Sequence, residues 1–227
     1  MKNKSIIQTT IVLAISAIVA FAIPSAFADP TYHTGNVWST DHSEELDNGS
    51  IPFAFVTSEI DNLPKATGTT ASDLKSDMES AIDAWDSNTD VQMHRDDTTT
   101  SYYDNRIGTA DLVPGKAAHA SILKHWDWGY HGHLLRVTID FNHDTGDFAW
   151  DHDGDSGAAH PDQVRIYNTM LHELGHAIGL CGTYSGDNQS SGNCTTVTTT
   201  DSAMSSYPWG NVRSITTSDQ TEINSKY

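Results

Sequence analysis

The sequence predicts an α+β domain, and three observations carry that expectation. Within residues 133–142, Leu135, Val137, Ile139 and Phe141 alternate with polar partners, the period-two pattern of a half-buried strand. Leu74, Met78, Ile82 and Trp85 recur at helical spacing, and Val164, Tyr167 and Leu171 form a second stripe leading into a histidine-bearing segment. Of the 227 residues, the first 28 read as a separable leader, and the remainder suits one domain with a sizeable core.

That leader reads as a signal peptide. Lys2 and Lys4 supply the charged start, residues 11–23 an apolar run short for a membrane span, and Ala26-Phe27-Ala28 a small-x-small cleavage site before Asp29. An uncleaved N-terminal anchor is the alternative. Export implies a secreted, extracellular protein with no stable membrane span after the leader is removed. Residues 29–50 are polar and aperiodic, which predicts a flexible lead-in rather than a folded pro-domain.

From there the elements follow in order. Residues 51–57 read as a strand. After a loop of Gly, Pro and Thr, Thr70 has the side chain to cap the helix that carries Leu74 to Trp85. Residues 91–94 and the Tyr102-Tyr103 region are short strand candidates separated by the polar turn 95–100, and 118–126 and 133–142 are stronger ones. Residues 144–160 form a long acidic loop. Pro161 suits the first position of the next helix because its missing N–H costs nothing there, and Asp162 suits the positive helix start. That helix stops near Gly179. A Ser/Thr-rich tail runs to Asp201, a tight Ser202-Ala203-Met204 segment follows, and a last short helix begins at about Thr217. No internal repeat is visible.

The formal charge is −18, and losing Lys2 and Lys4 with the leader takes it to −20, with 10 basic against 30 acidic side chains. Such a surface repels nucleic acid. It fits solubility in a salty medium, calcium affinity or selection for cationic substrates, and an ordinary solvated surface explains it as well. Cys181 and Cys194 are the two cysteines of a chain bound for a disulfide-permissive space, so a bridge closing residues 182–193 is expected; two free thiols, or a thiolate metal ligand at Cys181, are the alternatives.

His172-Glu173-Leu174-Gly175-His176 carries the chemistry. On a helix the two histidines lie about 40° apart around the axis, so both rings reach one ion, and Glu173, roughly 100° from His172, can take a proton from water without being a ligand. The donor set points to Zn2+ and to metal-assisted hydrolysis, with Glu173 as the catalytic base.

With Gly179 in register after His176, and with Asp201-Ser202-Ala203-Met204-Ser205-Ser206-Tyr207-Pro208 looking like a methionine-bearing turn, the chain resembles the metzincin zinc peptidases, matrixin-like branch. Ala81-Ile82-Asp83-Ala84-Trp85 is similar to that family's first-helix tryptophan segment, Thr138-Ile139-Asp140-Phe141-Asn142 to its central strand, and Ser218-Asp219-Gln220 with Ile223 and Tyr227 to its closing helix. The resemblance covers residues 51–227. It implies a twisted mixed sheet, an active-site helix, a Met-turn with Met204 beneath the histidines, a C-terminal helix, an extended protein or peptide substrate beside the edge strand 118–126, and a monomeric endopeptidase.

The chain departs from the family at the third zinc ligand, because Gly182 stands where it should fall and no histidine follows His176. Asp187, inside the cysteine loop, is the first candidate; Asp201 is the second, and the phenol of Tyr207 is placed to approach the metal. The rival reading is an exported binding protein that keeps the fold but lost catalysis with that ligand. Intact Glu173 argues against it, since the base has no use without the metal.

Two further cation sites are open. Asp151, Asp153 and Asp155 alternate as in a Ca2+ loop with Asp162 at the twelfth position, although Ser156 replaces the usual sixth-position glycine; a hydrated turn is the ordinary reading. His131, His133 and His143 cluster near acids and suggest a structural zinc, or three surface histidines. The family's latency device, a pro-segment cysteine on the zinc, finds no cysteine before Cys181, so export in active form is expected, with masking by His42 as the alternative.

Overall fold

The computed structural model describes residues 50–98, 105–113, 116–124, 134–144, 146, 148–152, 163–181, 195–196, 202–204 and 213–224. The fold is α+β, with a mixed five-stranded sheet and helices around one core. In chain order the elements are β1 (Ile51–Phe55), α1 (Thr57–Ile60), α2 (Ala71–Asn88), β2 (Met93–Arg95), β3 (Asn105–Ala110), β4 (Ala118–Lys124), β5 (Leu134–Asn142), β6 (Ala149–Asp151), β7 (Gln163–Arg165), α3 (Ile166–Ala177), β8 (Leu180–Cys181), β9 (Thr195–Thr196) and α4 (Thr217–Asn224).

The sheet order is β2-β1-β3-β5-β4, all pairs parallel except β4 against β5. Register puts Phe55 opposite Ile107, Ile107 opposite Ile139, and Ala118 opposite Phe141. These side chains therefore share one face, and they are buried together with Leu74, Met78, Ile82 and Trp85 of α2 and Leu171 and Leu174 of α3. Helix α2 begins where the sequence places it. Thr70 accepts from the Asp73 amide at 3.2 Å while Asp73 accepts from the Thr70 amide at 2.8 Å, a full capping box.

Four expectations shift. The first strand ends at Phe55, since Thr57 already starts α1. The second lies at Met93–Arg95 rather than 91–94, which takes Arg95 out of the turn. Residues 144–160 are not all loop, because Ala149–Asp151 pairs in parallel with Gln163–Arg165. For that reason Pro161 and Asp162 do not open α3: the pairing holds Gln163 to Arg165 extended, and the helix starts at Ile166 with no side-chain cap and no acid in its first turn.

The central strand β3 escaped the sequence reading. Its buried apolar content is Ile107, and its first residue is an asparagine, normally a turn former. Asn105 is buried and bridges two neighbouring strands, donating to the Pro52 carbonyl at 2.9 Å and accepting from the Val137 amide at 2.8 Å. At Gly108 a β-carbon would lie 2.5 Å from a Glu59 carboxylate oxygen, which pairs with Arg106 and accepts from the Thr109 amide. The glycine gives α1 its seat on the sheet.

Candidate metal centre

Helix α3 positions the chemistry. An amphipathic core helix buries apolar side chains, yet this one also buries His172, Glu173 and His176, which are 1%, 0% and 2% exposed, along with Asn168 and Thr169. Burying a carboxylate and two imidazoles is costly unless they are compensated. Local rules broken together in this way mark functional positions.

The two rings converge. Their Nε2 atoms lie 2.9 Å apart, with ring centroids at 4.5 Å and planes at 90°. His176 Nδ1 donates to the Leu180 carbonyl at 2.9 Å, so the neutral ring carries its proton on Nδ1 and presents the Nε2 lone pair towards His172. Burial, reinforced by His119 and partly opposed by the Leu180 carbonyl, pushes His176 down to about 4, which keeps it neutral near pH 7. Two buried imidazole nitrogens aimed at one point, one with its tautomer fixed by a backbone acceptor, fit zinc's preference for neutral nitrogen donors with ordered outer partners.

The Leu180 carbonyl reaches His176 because the helix breaks at Gly179. Its φ is +100°, in the left-handed region, and its amide donates to the His176 carbonyl at 3.0 Å. The chain then enters β8, whose parallel pairing with β9 brings Leu180 opposite Thr195 and Cys181 opposite Thr196. Residues 181 and 195 are thereby held on neighbouring strands just beyond the second histidine.

Gly175, between the histidines, is where other elements press on the helix. A β-carbon there would sit 2.2 Å from Met204 Sδ and 3.1 Å from Trp85 Cζ2. Met204 is fully buried, and Trp85 donates its indole N–H to the Leu171 carbonyl at 2.9 Å. The sequence-predicted pair of a Met-bearing turn and a first-helix tryptophan therefore meets the histidine helix at its glycine.

Asp187, Asp201, Tyr207, Cys194, Asp153, Asp155, His131, His133 and His42, with the 1–49 segment, lie outside the described residues. Cys181 is described in its backbone alone. Asp151 accepts from the Thr69 hydroxyl at 3.0 Å, and neighbouring His152 pairs with Asp77 at 3.2 Å. His143 lies 3.6 Å from Asp111. Among the described residues no group of three or more His, Cys, Asp or Glu is placed to hold a metal, and no helix is long and apolar enough to cross a membrane.

Sequence reasoning missed three contributors. His119, on β4, lies near enough to help depress His176, and one histidine among twelve in a strand gives no signal. The Leu180 carbonyl is backbone, for which Gly179 is the indirect sign. Asp219 is fully buried beneath the Met204 turn, and the box pattern of Thr216 and Asp219 could have marked its helix start but not its second contact.

No protein-family model matches the chain, and no curated protein matches it. Solved structures do. High choriolytic enzyme 1, a hatching enzyme zinc-protease from Oryzias latipes (medaka fish), is 14% identical with a TM-score of 0.37, the match covering 83% of this chain and 97% of that one. Two structures of myroilysin are 11% and 12% identical with TM-scores of 0.39 and 0.38, covering 89% and 85% of this chain and 94% and 91% of theirs. Likeness at this level fixes no residue correspondence, and the case for zinc rests on the side chains of α3.

Proposed function

We propose that the protein is a secreted, metzincin-like zinc endopeptidase, with His172 and His176 as metal ligands and Glu173 as general base. The observation that carries this is the convergence of the two buried Nε2 atoms on one helix turn beside a buried glutamate, over a methionine seated at the intervening glycine. When bound, zinc would polarise a peptide carbonyl and make an attacking water more acidic. Glu173 would accept that water's proton and hand it to the departing amine as the C–N bond breaks. The Leu180 carbonyl keeps the His176 lone pair on Nε2, and Met204 with Trp85 holds the helix turn that spaces the rings.

Asp187 is our third ligand, carried on the loop rooted just beyond His176, and Cys181–Cys194 is the bridge that would close that loop. Asp151, Asp153 and Asp155 form the proposed calcium loop. Export follows from the leader, and the substrate is a protein or peptide.

The test is zinc content of the mature protein near neutral pH, with cleavage of an unfolded protein with and without a zinc chelator, beside Glu173→Ala. We expect about one zinc per chain, chelator-sensitive cleavage, and an inactive variant that still binds metal. Absence of both zinc and chelator-sensitive cleavage would sink the enzyme reading; zinc affinity unchanged in Asp187→Ala would remove that ligand. Reactive thiols in the denatured, unreduced protein would remove the bridge.

A further inference from the structure

We propose that Asn142 is a positioning residue for the substrate, fixing the sheet's edge strand β4 against the histidine helix α3; this rests on the endopeptidase reading above. Asn142 closes β5 and is 1% exposed. Part of what it does is ordinary. Its Oδ1 accepts from the Asp144 amide at 3.1 Å, the local turn that asparagine makes at a strand end.

The remaining bonds leave that turn. Oδ1 also accepts from the Leu112 amide at 3.2 Å and Nδ2 donates to the Lys116 carbonyl at 2.7 Å, while the backbone amide donates to the Ala117 carbonyl at 2.7 Å. One residue thus grips both ends of the connection from β3 to β4. Its own carbonyl accepts from the Trp150 indole at 3.1 Å, so each polar atom of Asn142 is bonded. A turn at the end of β5 requires neither this burial nor partners on another connection.

The partners lie at the roots of two elements. β4 begins at Ala118, directly after Ala117, and Ala117 and Ala118 are fully buried. Trp150, also fully buried, stands opposite Val164 in the β6–β7 pair, and α3 starts just beyond that pair at Ile166. Asn142 therefore holds the approach to β4 on one side and, through Trp150, the approach to α3 on the other.

That junction matters because β4 packs against α3 and ends the sheet order, so among the described residues one of its edges has no neighbouring strand. An extended peptide adds to such an edge through main-chain hydrogen bonds. Its scissile carbonyl meets a metal on His172 and His176 only when the strand sits at the right height over the helix, and a misplacement of ~1 Å is enough to spoil the alignment.

The test compares Asn142→Ala with Asn105→Ala in full-length, zinc-loaded protein. Asn105 is 2% exposed, and its side-chain bonds go to Pro52 and Val137 instead. Each variant is measured for thermal stability, for amide hydrogen exchange across residues 116–124, and for kcat and KM on two peptides. One peptide is long enough to pair along β4; the other is blocked close to the cut bond on both sides.

Both variants should melt below wild type, but only Asn142→Ala should speed exchange in 116–124 and raise KM for the long peptide ~10-fold, the equivalent of one or two lost substrate hydrogen bonds. The kcat for the long peptide and both constants for the short one should hold. Asn142→Asp keeps the acceptors for Leu112 and Asp144 but sets an oxygen against the Lys116 carbonyl, so it should act in the same direction and serves if the alanine variant does not fold. Unchanged KM for the long peptide in these Asn142 variants overturns the proposal, as does an equal rise in Asn105→Ala or for the short peptide. A wild-type protein that cleaves neither peptide, with exchange still faster in Asn142→Ala, overturns the endopeptidase reading and leaves the junction standing, which separates the two failures.

Discussion

Replacing Gly175 by alanine should destabilise this protein, although the same change in an ordinary helix interior stabilises by about 1 kcal/mol. The new β-carbon would lie 2.2 Å from Met204 Sδ and 3.1 Å from Trp85 Cζ2. Ordinary contact is roughly 3.5–4.0 Å, so the sulfur must retreat by about 1.5 Å. A surface methionine would do so freely. Met204 is 0% exposed, and Trp85 is held by its bond to the Leu171 carbonyl.

Overpacking a core costs about 1–3 kcal/mol; a displacement this large in a fully buried site falls at about 2–3, and the helix gain of about 1 offsets part of it, leaving a net loss of about 1–2 kcal/mol. For a domain of this size that is a fall of about 2–8 °C in melting temperature. Thermal unfolding of metal-free protein, followed by far-ultraviolet circular dichroism, measures it without a contribution from bound zinc. Met204→Ala should be destabilising alone, by about 2–5 kcal/mol, but in the double variant the new methyl enters the vacated space. The two costs should then fall short of additivity by about 1 kcal/mol. A Gly175→Ala protein that melts at or above the wild-type temperature would refute this account of the Met204 contact.

Trp85→Phe removes the indole donor and part of the ring, and should cost about 2–4 kcal/mol by chemical denaturation; a loss below about 0.5 kcal/mol would mean that the Leu171 bond does not form. Thr70→Ala opens the capping box of α2 and should cost about 1 kcal/mol, with an unchanged melting curve counting against the cap. The Arg95 guanidinium beside Asp97 holds its carboxyl below the usual carboxylate range, aided by the Phe55 amide. A depressed folded pKa adds stability above the unfolded value and loses it as pH falls through the folded one. Because Asp97 is 39% exposed, the gain is below about 1 kcal/mol. Asp97→Asn should therefore melt slightly below wild type at neutral pH and together with it in strong acid; a gap independent of pH would exclude the ion pair as its source.

How much was legible follows from where the signal lies. Strand β5 and helix α2 were read correctly because each buries one apolar face, and that face sets a period in the sequence. Strands β3 and β7 are held differently. Asn105 reaches across to Pro52 and Val137, and Val164 lies in a three-residue strand paired with β6, so neither leaves a periodic trace. The histidine pair was legible because helix geometry alone puts positions 172 and 176 on one side. The partners that orient them were not. Leu180 contributes a backbone carbonyl, and the Met204 turn is tied to Asp219 through Ser202, across a separation that no local pattern spans.

The same distinction explains how the centre is held. Helix α3 has no side-chain cap and no acidic first turn, so local sequence does little to fix its start or its rotation. Contacts from outside the helix do so instead: Trp85 at the Leu171 carbonyl, Met204 at Gly175, the Leu180 carbonyl at His176, and the Arg213 amide at Asn168, 2.8 Å away. Each meets α3 within about two turns of the histidines, and they come from α2, from the Met204 turn, from β8 and from the segment before α4. The imidazoles are thus oriented only when these distant segments have packed. An isolated peptide of residues 166–177 would keep the motif and lose the arrangement that gives it chemistry.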